Sequence, residues 1–426
     1  MARHTVYRLT NTLQEYAWGS QRAIFDAFGW QPSGRPAAEL WLGAHESAPS
    51  VARCIAQVPP TWRDAVPASV RVGPDASGVA LGDLIASDPH FMVGENVADV
   101  FGPRLPYLLK VLAAAGPLSL QVHPKPHQAR AGFARENRAG VDRLAPERLY
   151  KDDQHKPELI VALTPFEGLS GFRRPQRAGE LLEPVQGPTV QAMREVLAGP
   201  GLSDDRLRAA FELAAGLRDT DALEELTVAT ESLQRFVDAE RGAGRRVSRG
   251  HVTALELAKA YPGDPGMLMS LLLNRFSLQP GEAVFLRAGQ IHAYLHGLGV
   301  EIMANSDNVL RAGLTTKHVD VPELMACTDF TAEPPVRPSL RPVPGGLTDY
   351  RVGTPEFGLV YGDAAHGALI THTGPRIVVC LNGSVTISHA LGELGTLTAG
   401  QSAFVPHGVG SVALSGGGSV AVSYVP

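Results

Sequence analysis

The segment LSLQVHP sets Gln121 and His123 two residues apart. In a β-strand that spacing sends both side chains to one face, while Leu120 and Val122 take the other. Further on, YKDDQHKPELIVAL places Glu158 at the head of an apolar run, and LRAGQIHAYL places His292 within another. Each of these residues alone is more often a satisfied core histidine or a rim carboxylate than a ligand. Three converging strands would instead assemble two imidazoles, one carboxylate and one amide oxygen. A borderline-soft divalent ion such as zinc accepts that set and keeps a position for water or a sugar oxygen. An open site of this kind is catalytic rather than structural.

The elements that must position these residues follow from texture. From about residue 5 to 172, apolar runs such as VARCIA, YLLKVLAA, LSLQVHP and ELIVAL are separated by Pro, Gly and charged stretches, the punctuation of strands. Between about 175 and 262 the chain turns to Ala, Leu, Glu and Arg at helical spacing, which predicts a helical insertion. There Asp221 is expected to cap a helix starting near Ala222, and Gly242 and Gly244 to end it. Strand texture resumes in FSLQPGEAVFLRAGQIHAYL. From about 328 the Pro-rich AEPPVRPSLRPVPGG leads into the alternating IVVCLNGSVTIS and GSVAVSYVP, read as a separate small β-sandwich. The expected organisation is therefore a mainly β chain with a helical insertion. Residues 1–174 and 263–327 form the site-bearing domain, 175–262 the insertion and 328–426 a C-terminal β domain. QPGEAVFLRAGQIHAY and TAGQSAFVPHGVGS share a Gly, strand, turn and His pattern. It resembles the second half of a cupin signature, a double-sheet jelly roll.

Composition narrows the function classes. Lys and Arg number 38 against 43 Asp and Glu, a formal charge of -5, which argues against a binder of nucleic acid. The start MARHTVYRLT lacks the apolar core of a signal peptide, and the run Met267 to Leu273 is too short to span a bilayer, so a cytoplasmic location is expected. Three widely spaced cysteines, Cys54, Cys327 and Cys380, make neither a disulfide framework nor a cysteine metal site. Any metal must be held by His, carboxylate or amide groups. No heptad pattern is present, and a monomer is the expectation.

LPYLLKVLAAAGPLSLQVHP, LYKDDQHKPELIVALTPFEGLSGFR and IHAYLHGLGVEIMANSDNVLRAGLTTKHVD resemble signature blocks of the type I phosphomannose isomerases, as do YAWGS and AELWLGAHESAPS. They run in family order from residue 16 to about 325. The resemblance implies a cupin barrel, an inserted helical domain, and interconversion of mannose 6-phosphate and fructose 6-phosphate through an enediol, with one zinc ion per chain. It also implies Gln121, His123, Glu158 and His292 as the zinc ligands. Arg311 matches an active-site arginine whose permanent cation suits an enediolate. Lys156 and Glu301 remain alternative proton-transfer groups. Asp307 and Tyr294 match pocket positions. Lys110, Ser119 and Lys317 match the phosphate end, and Trp18 is a weaker pocket candidate that equally suits the core. Thr316 stands where the family commonly has proline, which leaves a less rigid turn before Lys317, and Glu46 likewise replaces a common proline.

Two other readings fit part of this pattern. Two His and a carboxylate on a cupin also suit non-haem iron, but Gln121 would occupy a position that oxygen chemistry needs open. A silent sugar-binding cupin would be expected to lose ligands or Arg311, and all are present. The C-terminal domain, in which His407 lacks a partner at ligand spacing, is expected to hold no metal.

Overall fold

The computed structural model describes residues 5–54, 78–218 and 220–426, with the main chain alone for Thr220 and Asp221. Strands and helices take nearly equal shares, 31% and 30%, so the chain is sheet-rich rather than mainly β. The extra helix lies partly in stretches read as strand connections, such as Leu81–Ser87, Glu95–Phe101 and Pro126–Arg138. The first two are two turns or fewer, too short to show a helical period. VARCIA forms a strand over Val51–Cys54, and its remainder lies outside the described residues. The helix Thr220–Gly242 starts two residues earlier than expected, which puts Asp221 inside its first turn rather than at its cap. Gly244, with φ of 68°, follows its end. No helix among the described residues is long and apolar enough to cross a membrane, and no disulfide joins the cysteines.

The 13-residue strand His292–Ala304 organises the site-bearing part. Its first residues lie between Leu120–Val122 and Phe166–Phe172, and its later ones between Tyr107–Ala114 and Glu158–Ala162. One strand thus passes from one pair of neighbours to another. The change is made at an irregularity between Tyr294 and His296, followed by Gly297 at φ 130°. Bulges bend strands and raise their twist, which curls a sheet around an interior.

A second sheet of nine strands joins both ends of the chain. Tyr7–Thr10 lies between Val51–Cys54 and Ser402–Val405, with the remaining strands drawn mostly from residues 339–424. This sheet takes strands from both sides of the boundary expected at 328, and pairing between residues 393 to 397 apart leaves no trace in local periodicity. The Pro-rich segment itself supplies the edge strand Ser339–Val343, where Pro342 needs no outward hydrogen bond. Arg376–Cys380 shows why its run is continuously apolar. Ile377 and Val379 enter the core shared with the first sheet, whereas Val378 and Cys380 enter the core shared with the four-stranded sheet containing Ser384–His389 and Val412–Ser415.

The helices between Pro175 and Leu272 bury Leu181, Met193, Phe211, Leu233 and Leu257 against one another. The same core takes Leu120, Val122, Ile291 and Ala293 from the site strands. The outward faces of the strands at the Gln121 and His292 end are thus covered by helix. Gly297→Ala tests the bend: a Cβ there would meet Pro165 O and the Cα of Phe166 at 2.8 Å, in a conformation L side chains avoid. Urea unfolding should show a loss of about 1–3 kcal/mol.

Candidate active site

Period-two alternation puts the charged residues inside. In Tyr107–Ala114, Leu109 and Val111 join the core between the sheets; in Glu158–Ala162, Leu159 and Val161 do; in His292–Ala304, Val300 and Ile302 do. Their neighbours Lys110, Glu158 and Glu301 face the other way, into the same interior as Leu112, Ile160 and Tyr294. Two cross-strand rows result, because residues opposite in an antiparallel pair share a face. One row runs Trp41, Lys110, Glu301, Ile160. The other runs Arg311, Gln121, His292, Ser170.

His123, Glu158 and His292 converge with ligand atoms all within 4.8 Å. Each imidazole is oriented by its far nitrogen: His123 Nδ1 donates to Asn308 O at 2.7 Å, and His292 Nδ1 donates to Gln290 O at 2.8 Å. That tautomer leaves both Nε2 atoms as acceptors, each 3.3 Å from an oxygen of Glu158. Acceptors facing acceptors need a cation between them. His123 Nε2 and Glu158 Oε2 are accordingly buried without a hydrogen-bond partner. Donors sharing one tetrahedral zinc at about 2.0–2.2 Å stand about 3.3–3.6 Å apart, which these spacings match. Gln121 places its amide nitrogen 3.4 Å from His292 Nε2, and a half-turn of the carboxamide brings its oxygen there. Burial holds the His123 imidazolium down to about 4, against the pull of Glu158. Burial would raise the carboxyl of Glu158, but His123 and Lys156 outweigh it and keep the group well below its usual range. Burial thus disfavours a charged His123, and the neighbouring cations favour an ionised Glu158, the forms in which such groups bind a metal.

Around this centre stands a chain of buried charges. Lys110 Nζ lies 3.4 Å from Glu39 and 3.2 Å from Glu301, Tyr294 donates to Glu301 at 2.8 Å, and Trp41 donates to Glu39 at 2.7 Å. Lys156 Nζ lies 3.4 Å from Glu158 Oε1. Burial works against the ammonium of Lys110, yet Glu39, Glu301 and Glu158 prevail and raise its proton affinity. Glu301 is raised by burial and by Glu158 and Glu39, with Lys110 opposing. Three carboxylates against two lysines leave one negative charge in excess, which again suits a cation. Lys110, expected among the phosphate donors, lies between the carboxylates of Glu39 and Glu301. The sequence shows its apolar strand but not the partners across the sheet.

Arg311 is half-buried next to Gln121 on the neighbouring strand and has no salt-bridged carboxylate among the described residues. Arg311, burial and Lys151 together lower the proton affinity of exposed Lys317, so these three cations share one neighbourhood. The turn that carries Lys317 is held by Asp264, which accepts from Leu314 N and Thr315 N, and Leu314 itself has φ of 56°. Thr315, beside the Thr316 of the sequence expectation, accepts from Lys317 N at 3.1 Å. Ser119 is half-buried in the connection leading into Leu120–Val122. Trp18 packs on the core that includes Tyr294, stacked on Tyr16. Asp307 pairs with His45 at 3.2 Å; burial would raise its carboxyl, but His45, Lys156 and Lys151 bring it down to about 2. Glu46 pairs at the surface with Arg143. His407 lies far along the chain with its ring against Gly94.

Some residues of the site carried no chemical signal. Asn308 is fully buried, and its carboxamide accepts from Lys151 N and Asp152 N while donating to Asp152 and Gln154. Its carbonyl orients His123, so one residue ties a metal-ligand candidate to the loop bearing Lys156. Glu39, Asp152, Asp264 and Lys151 were missed likewise. A buried asparagine inside a recognised block was the one available hint.

Comparison with known proteins agrees with this geometry. The family described as phosphomannose isomerase type I, catalytic domain, matches residues 6–175. The chain is 39% identical to mannose-6-phosphate isomerase of Escherichia coli over 98% of this chain and 99% of that protein. It is 31% identical to that of Rattus norvegicus over 91% and 89%. Among solved structures, mannose 6-phosphate isomerase from Salmonella typhimurium bound to fructose 6-phosphate and zinc superposes with a TM-score of 0.84, at 34% identity and 99% coverage of both chains. Likeness at this level over the whole length shows that the chain belongs to the type I phosphomannose isomerase family.

Proposed function

We propose that the chain interconverts D-mannose 6-phosphate and D-fructose 6-phosphate, with one zinc ion held by Gln121, His123, Glu158 and His292. The observation that carries this reading is the pair of oriented imidazoles whose Nε2 acceptors face an unprotonated carboxylate in a buried, net-negative interior. The double-sheet jelly roll around that interior and the division at 174, 262 and 327 belong to the same reading, as do a monomeric state and a cytoplasmic location.

Zinc, when bound, supplies a Lewis acid for the sugar oxygens at the reacting carbons. The chain supplies the rest. Arg311, beside the ligand row and without a salt-bridged carboxylate among the described residues, stabilises the negative charge of the enediolate. Glu301 is the better supported of the two proton-transfer groups, because burial raises its carboxyl while Tyr294 and Lys110 fix its oxygens. Lys156 then orients and charge-balances Glu158. Lys317 and Lys151, with Ser119, receive the phosphate at the other end, where Arg311 and Lys151 crowd Lys317 with positive charge. Asp307 and Trp18 border the sugar.

Purified protein should convert mannose 6-phosphate in a coupled assay, lose turnover on chelation and regain it with zinc; a zinc-loaded protein without turnover would favour a silent sugar-binding role. Arg311→Ala should keep zinc content at one per chain and lower kcat by about 10²–10³-fold. Lys317→Ala should chiefly raise KM for the phosphorylated sugar. Asn308→Asp sets a second carboxylate 3.1 Å from Asp152 Oδ1 and loosens the carbonyl that aims His123. Competition with a chromophoric chelator should show zinc affinity about 10–100-fold weaker.

A further inference from the structure

A turn between two C-terminal strands reaches the loop that carries Lys156. Glu356 lies in the turn between the strands Leu347–Arg351 and Gly358–Asp363 of the nine-stranded sheet, and its carboxylate accepts from His155 Nε2 at 2.7 Å. The contact is firmly mounted. Glu356 is buried, the hydroxyl of Thr354 donates to its second oxygen, and the adjacent Phe357 is fully sunk in the core between the two large sheets. A small cavity of about 20 Å³ at this junction is lined by Gln154, Asn305 and Glu356.

His155 immediately precedes Lys156, and Lys156 precedes Pro157. A residue before proline is held extended, and neighbouring side chains on extended backbone point in opposite directions. Fastening His155 outward on Glu356 therefore aims Lys156 inward, where its Nζ meets Glu158 Oε1 at 3.4 Å. From the other side, Asn308 and Ser306 fasten Asp152 and Gln154. Past Lys156, the carbonyl of Pro157 accepts from Ala304 N at 3.1 Å; without Glu356 the loop would keep its fastenings at Gln154 and Pro157 and lose the one on the residue adjoining Lys156.

We propose that Glu356 is a positioning residue, through which the C-terminal β domain sets the aim of Lys156 by anchoring His155. The proposal rests on the isomerase reading above. It gives the C-terminal domain a part in turnover although none of its own side chains lines the ligand cluster.

The test uses zinc-loaded full-length protein with Glu356→Ala and Glu356→Gln. In Glu356→Ala, kcat should fall about tenfold, with KM within about twofold, zinc at one per chain and the melting midpoint unmoved. Glu356→Gln, whose carboxamide oxygen still accepts from His155, should keep more than half of the turnover. Unchanged kcat in Glu356→Ala overturns the proposal, and so does a loss that follows zinc content or folded fraction. An independent readout is the rate at which acetic anhydride modifies Lys156, followed by peptide mass spectrometry. That rate should rise several-fold in Glu356→Ala and stay near wild type in Glu356→Gln; equal rates in all three proteins overturn the proposal. Wild-type protein without turnover but with the expected labelling pattern would sink the isomerase reading and leave the anchoring intact.

Discussion

Placing ionised side chains in an interior lined by apolar ones is the constraint on which this structure turns. A lone buried charge is strongly unfavourable, and a pair is tolerated only when geometry and hydrogen bonds compensate both members. Here the compensation is serial: Trp41 to Glu39, Glu39 to Lys110, Lys110 to Glu301, Tyr294 to Glu301. A parallel arrangement joins Lys156 to Glu158 and to the two imidazoles. Removing Lys110 would leave Glu39 and Glu301 without their cation, and removing Lys156 would take the ammonium from Glu158. The strands that carry these residues must therefore stay in register, which the long strand His292–Ala304 enforces by pairing with four partners.

The remaining negative charge and the facing acceptors are where function enters. A protein built for stability alone would place a proton or an ammonium between His123, Glu158 and His292. This one orients both imidazoles through main-chain carbonyls so that neither can donate inward. The carbonyl of Asn308 belongs to the turn that precedes Arg311, and its carboxamide holds the loop that precedes Lys156. Metal affinity, cation placement and loop position are consequently coupled through one buried amide rather than adjusted separately.

Much of the site was legible because strand alternation converts spacing into direction. Gln121 and His123 two apart, with Leu120 and Val122 between and beside them, are oriented as that rule requires. The apolar runs around Lys110 and Glu158 identified strands, but not that both faces were buried. What could not be read were partners distant in sequence. Glu39 with Lys110, His155 with Glu356 and Tyr7 with Phe404 are joined by sheet topology, which a local pattern does not encode. Helices of one or two turns escaped for a simpler reason, since they hold too few residues to display a period.

The strand Tyr7–Thr10 sits inside the nine-stranded sheet, flanked on one side by Ser402–Val405. During synthesis it leaves the ribosome about 390 residues ahead of that neighbour. At about 5–20 residues per second the wait is roughly 20–80 s. Throughout that interval one edge of the strand stays open to foreign pairing, an invitation to aggregation that ends only when Ser402–Val405 arrives. The segment that closes the sheet thus acts late, as a lock on a molecule whose catalytic half has already been made.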